Sequence, residues 1–279
     1  MSRSEHKSKD GIIFFKGDLL DVSIDFFEFL ENVDVLYHCA GELYQKEVME
    51  ALHVEGTKRL LEAAIGKIGR WVQLSSVGAY GVFNGVSIDE STQEKPIGTY
   101  EKTKAKSDYL LEMVAKNKGL KYVILRPSIV FGESMSNCSL LDMLFVIRKG
   151  WFFYVNRNAN VNYVHVEDVV DALILCGESS KAINNIYILS DSTTLKIMVD
   201  SFSSGMGVNH PKIYFPEFLI RPVVSIFGRL PNFPLTKTRL DVLTNLHKYN
   251  SCKIQKDLDF SFKKNLDTRF REYAKNYCK

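Results

Sequence analysis

Two neighbouring stretches decide the reading of this chain: WVQLSSVGAYG at 71–81 and STQEKPIGTYEKTKAKSDYLLE at 91–112. Residues 70–75 form a short apolar run that ends in Ser75 and Ser76. As a strand, it delivers hydroxyls to the carboxyl edge of a sheet, where open α/β sheets bind ligands. The pattern that follows predicts a helix over 100–117, ending near Gly119, a natural residue for a helix C-terminus. Tyr100 and Lys104 are four residues apart and so share one face of that helix. A hydroxyl, a phenol and an ammonium brought together can move a proton.

The physical demand is specific. A tyrosine titrates near 10, so a tyrosine acting as a base near pH 7 needs its pKa lowered by ~3 units, about 4 kcal/mol in favour of the phenolate. An ammonium ~4 to 5 Å away, at an effective dielectric of ~20, supplies nearly that amount. Ser76 is then placed to hold a substrate oxygen while Tyr100 takes or gives its proton. The spacing alone is weak evidence, since it recurs at Tyr249 and Lys253, where no serine-bearing strand precedes it and a surface pair is the simpler reading.

Around this centre, β-branched and aromatic runs alternate with helical patterns, the rhythm of parallel strands joined by crossover helices. Strands are expected at 12–16, 33–38, 70–75 and 121–126. A helix is expected over 47–65, with Val48, Leu52, Leu60, Leu61 and Ala64 on its apolar face. Beyond Gly132 come a helix at 139–149, a Trp-Phe-Phe-Tyr strand at 151–154, an Asn-rich loop at 156–162, a helix at 168–176 and a strand near 185–190. From about Val208 the prolines cluster and the chain reads as an appended lobe of short helices.

At 279 residues, 46% hydrophobic and 25% charged, the chain can bury a substantial core. Its formal charge of +3 comes from 36 basic and 33 acidic residues without a long run of one sign, which argues against a nucleic-acid partner. Five cysteines, Cys39, Cys138, Cys176, Cys252 and Cys278, are widely spaced, so neither a disulfide framework nor a metal site is indicated and a reducing cytoplasm fits best. The polar first residues exclude a signal peptide, and no apolar run reaches the ~20 residues needed to span a bilayer. The segment 216–237 is apolar enough to raise membrane contact. Pro222, Pro231 and Pro234 divide it, however, and packing against the rest of the protein, with no membrane partner, is the expectation.

The order GDLLD, VDVLYHCAGELY, HVEGTKRLLEAA, LSSVGAYG, YEKTK, ILRPSIVFG and YVHVEDVVDAL resembles the extended short-chain dehydrogenase/reductase superfamily, of the NAD(P)-dependent epimerase/dehydratase type. The resemblance runs from about Gly11 to near the end of the chain. It implies an α/β fold, a Rossmann-like doubly wound parallel sheet, with an incomplete dinucleotide-binding domain over 1–150 and a smaller, mainly substrate-binding lobe over 151–279. It assigns Ser76, Tyr100 and Lys104 as catalytic residues and NAD or NADP as cofactor. By the same carry-over, Asp18 and Leu19 face the adenine, and Cys39, Ala40 and Gly41 line the pyrophosphate and ribose. Ser75 joins the cofactor contacts, Lys104 holds the nicotinamide ribose, and the backbone around Pro127 and Ser128 approaches the nicotinamide.

The sequence also departs from that pattern. The family begins with a strand, a Gly-rich phosphate loop and a helix, and none is read here, so the sheet is expected to be N-terminally truncated. Gly205-Met206-Gly207 lacks the third glycine and reads as a surface turn. Ser2-Arg3-Ser4 stands where the family's second strand ends and where an arginine can meet a 2′-phosphate, although a disordered tail is the first reading of 1–10. His53 replaces a frequent Asn. Ile129 and Val161 stand near the Asn and Arg with which UDP-galactose-type epimerases hold a sugar diphosphate, leaving Arg157 as a substitute. His165, Glu167 and Asp168 are read as the start of a helix. His38 and Cys39 are read as a strand end.

These readings imply an oxidoreductase or epimerase acting on a secondary alcohol or ketone, with a nucleotide sugar as the leading small-molecule substrate and a homodimer as a candidate assembly. A hydroxysteroid-type or other non-sugar alcohol dehydrogenase is the first alternative. A truncated chain that keeps the catalytic residues without binding dinucleotide is the second.

Overall fold

A computed structural model describes residues 1–3, 11–81, 87–133, 135, 139–228 and 235–277. In chain order, its described strands are β1 (Val35–His38), β2 (Arg70–Leu74), β3 (Ser87–Ile88), β4 (Tyr122–Pro127), β5 (Ile129–Phe131), β6 (Asn160–His165), β7 (Asn185–Leu189), β8 (Asp191–Thr194) and β9 (Lys248–Tyr249). The helices are α1 (Lys46–Glu50), α2 (Thr57–Ala64), α3 (Thr99–Lys118), α4 (Ser139–Arg148), α5 (Val166–Glu178), α6 (Leu195–Met206), α7 (Glu217–Phe227), α8 (Lys237–Thr244), α9 (Cys252–Leu258) and α10 (Leu266–Tyr277).

The chain divides into two compact units, each discontinuous in sequence: 1–81 with 93–126 and 172–187, and 82–92 with 127–171 and 188–279. The sequence boundary at residue 150 therefore falls inside the second unit. The first unit is built on the Rossmann-like sheet, in the order β1-β2-β4-β7, with β1–β2 and β2–β4 parallel. Strands covered on both faces read as unbroken apolar runs, and Trp71, Val72, Val123, Ile124 and Leu125 are fully buried. Parallel neighbours need crossovers long enough to hold a helix. The helix entering at Lys46 widens to π geometry over Ala51–Gly56 before continuing as α2, and packs Leu60, Leu61 and Ala64 into the core. The next crossover contains α3, which stops at Gly119, held at φ 70° with its N–H on the Ala115 carbonyl.

The second unit has a β5-β6-β8 sheet, with β5–β6 parallel and β6–β8 antiparallel, and a short β3–β9 pair. Phe270 on α10 stacks against Phe131, Tyr163 and Phe202 with ring centroids 5.0 to 5.5 Å apart. α6 and α10 meet at Gly205, where an added Cβ would collide with the Arg271 carbonyl. Gly205 and Met206 are thus helical, and only Gly207, at φ 68°, makes the turn expected of that triplet.

Five expectations need correction. Residues 12–16 do not form a regular strand. Among the described residues Ser2 bridges Lys16, its N–H reaching the Phe15 carbonyl and its carbonyl accepting from Gly17, both at 2.9 Å. Ile12 and Lys16 are separate bridge positions rather than a continuous ladder, and Ile13 stays 87% exposed. The same pairing corrects the tail reading for Ser2, while Ser4–Asp10 lie outside the described residues, as do Cys138, Cys278, Pro231 and Pro234. At 151–154 only Tyr154 bridges, to Tyr214, because the neighbouring backbone lacks a continuous partner. The Asn-rich loop ends early, since Asn160 already opens β6, where it pairs with Thr194. Finally, α7 buries only Val224 completely, so most of 217–227 does not pack inward.

Phe270→Ala should lower the unfolding free energy by about 3 to 5 kcal/mol, because the ring cluster cannot collapse into the space left. A urea midpoint unchanged from wild type would contradict this account of the core.

Candidate active site

Ser76 follows β2 and caps the 3₁₀ turn Val77–Tyr80, its hydroxyl accepting from the Gly78 N–H at 3.1 Å. Gly78 has no side chain for a reason: a Cβ there would lie 2.6 Å from Glu101 Cγ, on the first turn of α3. That close approach sets Tyr100 beside Ser76. A hydrogen bond with the Ser76 side chain favours the Tyr100 phenolate, but burial, then Glu101 and Asp108, push its pKa up to about 12. Lys104 is buried and donates from Nζ to the Leu74 carbonyl at 2.6 Å. Burial lowers its pKa while Asp108 raises it. The lowered phenol pKa expected from the sequence is therefore not found here, since the phenol is desolvated and the ammonium is turned to a carbonyl.

Beneath these groups lies a buried polar network. Asp108, 1% exposed, accepts Ser75 Oγ at 2.6 Å and Gln73 Nε2 at 2.9 Å, from the end of β2 and the residue after it. It also accepts Arg126 Nη2 at 2.9 Å and Nε at 3.1 Å, from β4. Arg126 in turn pairs with Glu94 at 2.6 Å and lies 5.0 Å from the centre of the Tyr80 ring. Such a pair holds because each partner's desolvation is met by the other and by neutral donors. Ser75 thereby spends its one hydroxyl hydrogen on Asp108 and braces the sheet edge against α3.

A second chain of bonds runs through the π segment. The Glu42 N–H can only donate, so His53 Nε2, 2.8 Å away, accepts, and Nδ1 carries the proton toward Thr103 Oγ1 at 2.7 Å. Thr103 passes a hydrogen bond to the Tyr100 carbonyl at 3.0 Å, and the His53 ring meets the Tyr100 ring edge-on at 5.7 Å. His53 thus ties the loop after Gly41 to the helix bearing Tyr100. Cys39 is an exposed free thiol following β1, and Ala40 and Gly41 continue that strand's end. His38 is buried, with Nε2 2.8 Å from Thr57 Oγ1.

Other positions expected from the sequence sit as follows. Asp18 Oδ1 accepts from the Leu20 N–H at 2.9 Å. Leu19 puts its side chain in the core and its carbonyl on Arg59. In the second unit, the Ser128 N–H donates to the Leu189 carbonyl, and its buried hydroxyl has no hydrogen-bond partner among the described residues. Pro127 closes β4. Val161 is buried in the core, whereas Arg157 is exposed, with one N–H on the Lys212 carbonyl at 2.7 Å and its guanidinium beside the Tyr154 ring. Glu167 and Asp168 begin α5, as read from sequence.

Sequence reasoning missed Asp108, Arg126 and Thr103. Asp108 was detectable in principle, four and eight residues beyond Lys104 and Tyr100 on one helix face. A guanidinium in the apolar run YVILRP likewise demands a buried partner. What the sequence lacked was any sign that the two belong together.

Asp108→Ala leaves Arg126 with Glu94 alone and takes the acceptor from the buried Ser75 and Gln73 donors, and should cost about 3 to 5 kcal/mol in urea unfolding; a loss below about 1 kcal/mol would mean the network is not what holds α3. Burial depresses His38 to about 3 and His53 to about 4, from 6.5. The unfolded chain therefore binds protons that the folded chain refuses. Stability present above pH 6.5 should fall as the pH drops toward 4, by about 1.4 kcal/mol per pH unit for each ring. Melts across that window should show a shallower fall in His53→Asn than in wild type.

The site's geometry can be set beside known proteins. The family model described as NAD dependent epimerase/dehydratase matches residues 1–189. A UDP-glucose 4-epimerase of Vibrio cholerae is 27% identical over 196 residues, 65% of this chain and 59% of that protein. A 3beta-hydroxysteroid-dehydrogenase/decarboxylase of Arabidopsis thaliana is 22% identical, over 76% of this chain and 41% of that protein. The chain thus spans about half the length of these two relatives. Short-chain dehydrogenase/reductase family 42E member 1 of Bos taurus is 28% identical over 90% of this chain and 73% of that protein. Among solved structures, the UDP-glucuronic acid 4-epimerase of Bacillus cereus in complex with NAD superposes with a TM-score of 0.72 at 17% identity, covering 95% of this chain and 81% of that one. With more than half its length matched, and with the parallel sheet on which the match rests, the chain belongs to the NAD-dependent epimerase/dehydratase family.

Proposed function

We propose that this chain carries out NAD(P)-dependent oxidation or reduction at a secondary alcohol or ketone carbon, with Tyr100 as the proton carrier. The observation that carries this reading is the meeting of Ser76, Tyr100 and Lys104 in one unit at the carboxyl edge of β2. A dinucleotide fits the donor set: Lys104 spends one N–H on Leu74 and keeps two for ribose hydroxyls, and Ala40 and Gly41 offer main chain with little side-chain cover. When bound, the nicotinamide supplies the hydride acceptor or donor.

The chain's own groups handle the proton. With its pKa near 12, Tyr100 rests as a phenol at neutral pH, ready to give its proton to an alkoxide while Ser76 holds that oxygen. The reverse direction requires the phenolate to be stabilised by the Ser76 hydroxyl and the Lys104 ammonium. Burial works against the Lys104 ammonium, and Asp108 offsets part of that cost. His53 and Thr103 hold the backbone of Tyr100, so the phenol is presented in one orientation.

For the substrate, a nucleotide sugar is the first reading, supported by the epimerase relative and by several epimerase folds. An apolar secondary alcohol is the second. It is favoured by the buried Val161 and the hydroxysteroid-dehydrogenase relative. For the cofactor, the bridge between Ser2 and Lys16 fixes the residue before Arg3, a cation able to meet a 2′-phosphate, which supports an NADPH arm in any binding test.

Titration of NADH and NADPH into the chain should give saturable fluorescence changes, and Lys104→Ala should weaken them. Tyr100→Phe should lower turnover about 10²- to 10⁴-fold with dinucleotide affinity little changed. Equal turnover in Tyr100→Phe would exclude this mechanism, and no response to either dinucleotide would favour a non-catalytic chain. A screen of sugar nucleotides against apolar ketones separates the two substrate readings.

A further inference from the structure

The second unit exposes a helix face of the wrong polarity for water. At 100° per residue, Glu217, Arg221 and Ser225 of α7 form one polar row, and Ile220 and Val224 form the row that packs inward. The remaining outward arc is Phe218, Leu219, Pro222, Val223, Ile226 and Phe227. All six are exposed, Phe218 at 73% and Ile226 at 69%, and none carries a side-chain donor or acceptor. Just before the helix, Ile213, Tyr214 and Phe215 are exposed as well. Soluble surfaces rarely show so many contiguous apolar side chains unless something covers them.

Charge indicates what covers it. Between Asn209 and Leu246 the sequence has five basic residues (Lys212, Arg221, Arg229, Lys237 and Arg239) against two acidic ones (Glu217 and Asp241). The chain's formal +3 is therefore the charge of this stretch, and the rest is balanced. Arg221 is paired with Glu217 and Asp241, and Arg239 with Asp142. Among the described residues no ion pair engages Lys212 or Lys237, both exposed. Arg157 lies against the Lys212 carbonyl, next to the bridge between Tyr154 and Tyr214, so two cations stand at the start of the apolar face.

We propose that α7 and the residues before it dock on an anionic lipid bilayer, lying in the plane of the interface. An eleven-residue helix is only ~16 Å long and cannot cross the hydrocarbon, and no described helix is long and apolar enough to do so. An in-plane helix needs an apolar arc facing the acyl chains and cations at headgroup level, and both are present here. A protein partner would leave the arc without the polar groups that usually fix register at an interface. Pro222 sits within α7 without turning its apolar side chains inward, so the prolines that divide 216–237 do not by themselves bury this face.

Flotation of the full chain with phosphatidylcholine vesicles containing one third phosphatidylglycerol tests this. Binding should be roughly tenfold or more stronger than to phosphatidylcholine alone, and should weaken as salt is raised. Phe218→Glu with Ile226→Glu should abolish it while leaving the thermal melt unchanged, since both side chains face outward. Lys212→Glu with Lys237→Glu should remove the lipid preference without touching the apolar arc. Failure to float with either vesicle would overturn the proposal, as would binding that survives Phe218→Glu with Ile226→Glu. So would a concentration-dependent dimer that the double glutamate variant abolishes in a chain that does not float, which would assign the face to a second copy.

Discussion

The Asp108 carboxylate is the point on which the first unit turns. It draws Ser75 and Gln73 from the end of β2, and Arg126 from β4, onto a single residue of α3. A charge so fully removed from water is tolerated only while each of its lone pairs is taken, so helix and strand ends are held to one mutual arrangement. Tyr100 and Lys104 lie two turns and one turn earlier on the same helix, and their positions at the sheet edge follow from that attachment. Arg126 extends the constraint to Glu94 and to the Tyr80 ring, which steadies the turn capped by Ser76.

A second attachment acts from the opposite side. The π segment between α1 and α2 sets the His53 ring between Glu42 and Thr103. The extra residue in such a turn re-aims side chains and is frequent at functional sites. Here it joins the end of the β1 loop to the start of α3 through a neutral imidazole whose tautomer is dictated by a backbone donor. One network therefore anchors the carboxyl end of the reactive face of α3, and the other anchors its beginning.

The second unit is organised differently. Its core is aromatic, centred on Phe270 and closed by the tight approach of α6 and α10 at Gly205. α7 contributes little to that core and turns most of its apolar surface outward. The same unit thus contains one of the best-packed regions of the chain and its most exposed apolar helix face, and the second is explained by a partner rather than by folding.

By itself the sequence determined the parallel α/β architecture, the extents of α3, α4 and α5, the strand at β7 and the placing of Tyr100 and Lys104 one turn apart on a single helix face. These depend on local periodicity and on helix and strand geometry, which neighbouring residues carry among themselves. Tertiary structure decided what depends on distant partners. Residues 12–16 form no regular strand because Ile12 and Lys16 bridge singly, and Asn160 joined β6 because Thr194 lies opposite it. Ser75 turned toward Asp108, and the Tyr100 phenol rose toward 12 because burial and two carboxylates outweigh the Ser76 hydrogen bond. The outward face of α7 likewise could not be read from hydropathy, which records how apolar a helix is but not which neighbours it finds. Desolvation and long-range pairing are properties of the folded arrangement, and no spacing along the chain encodes them.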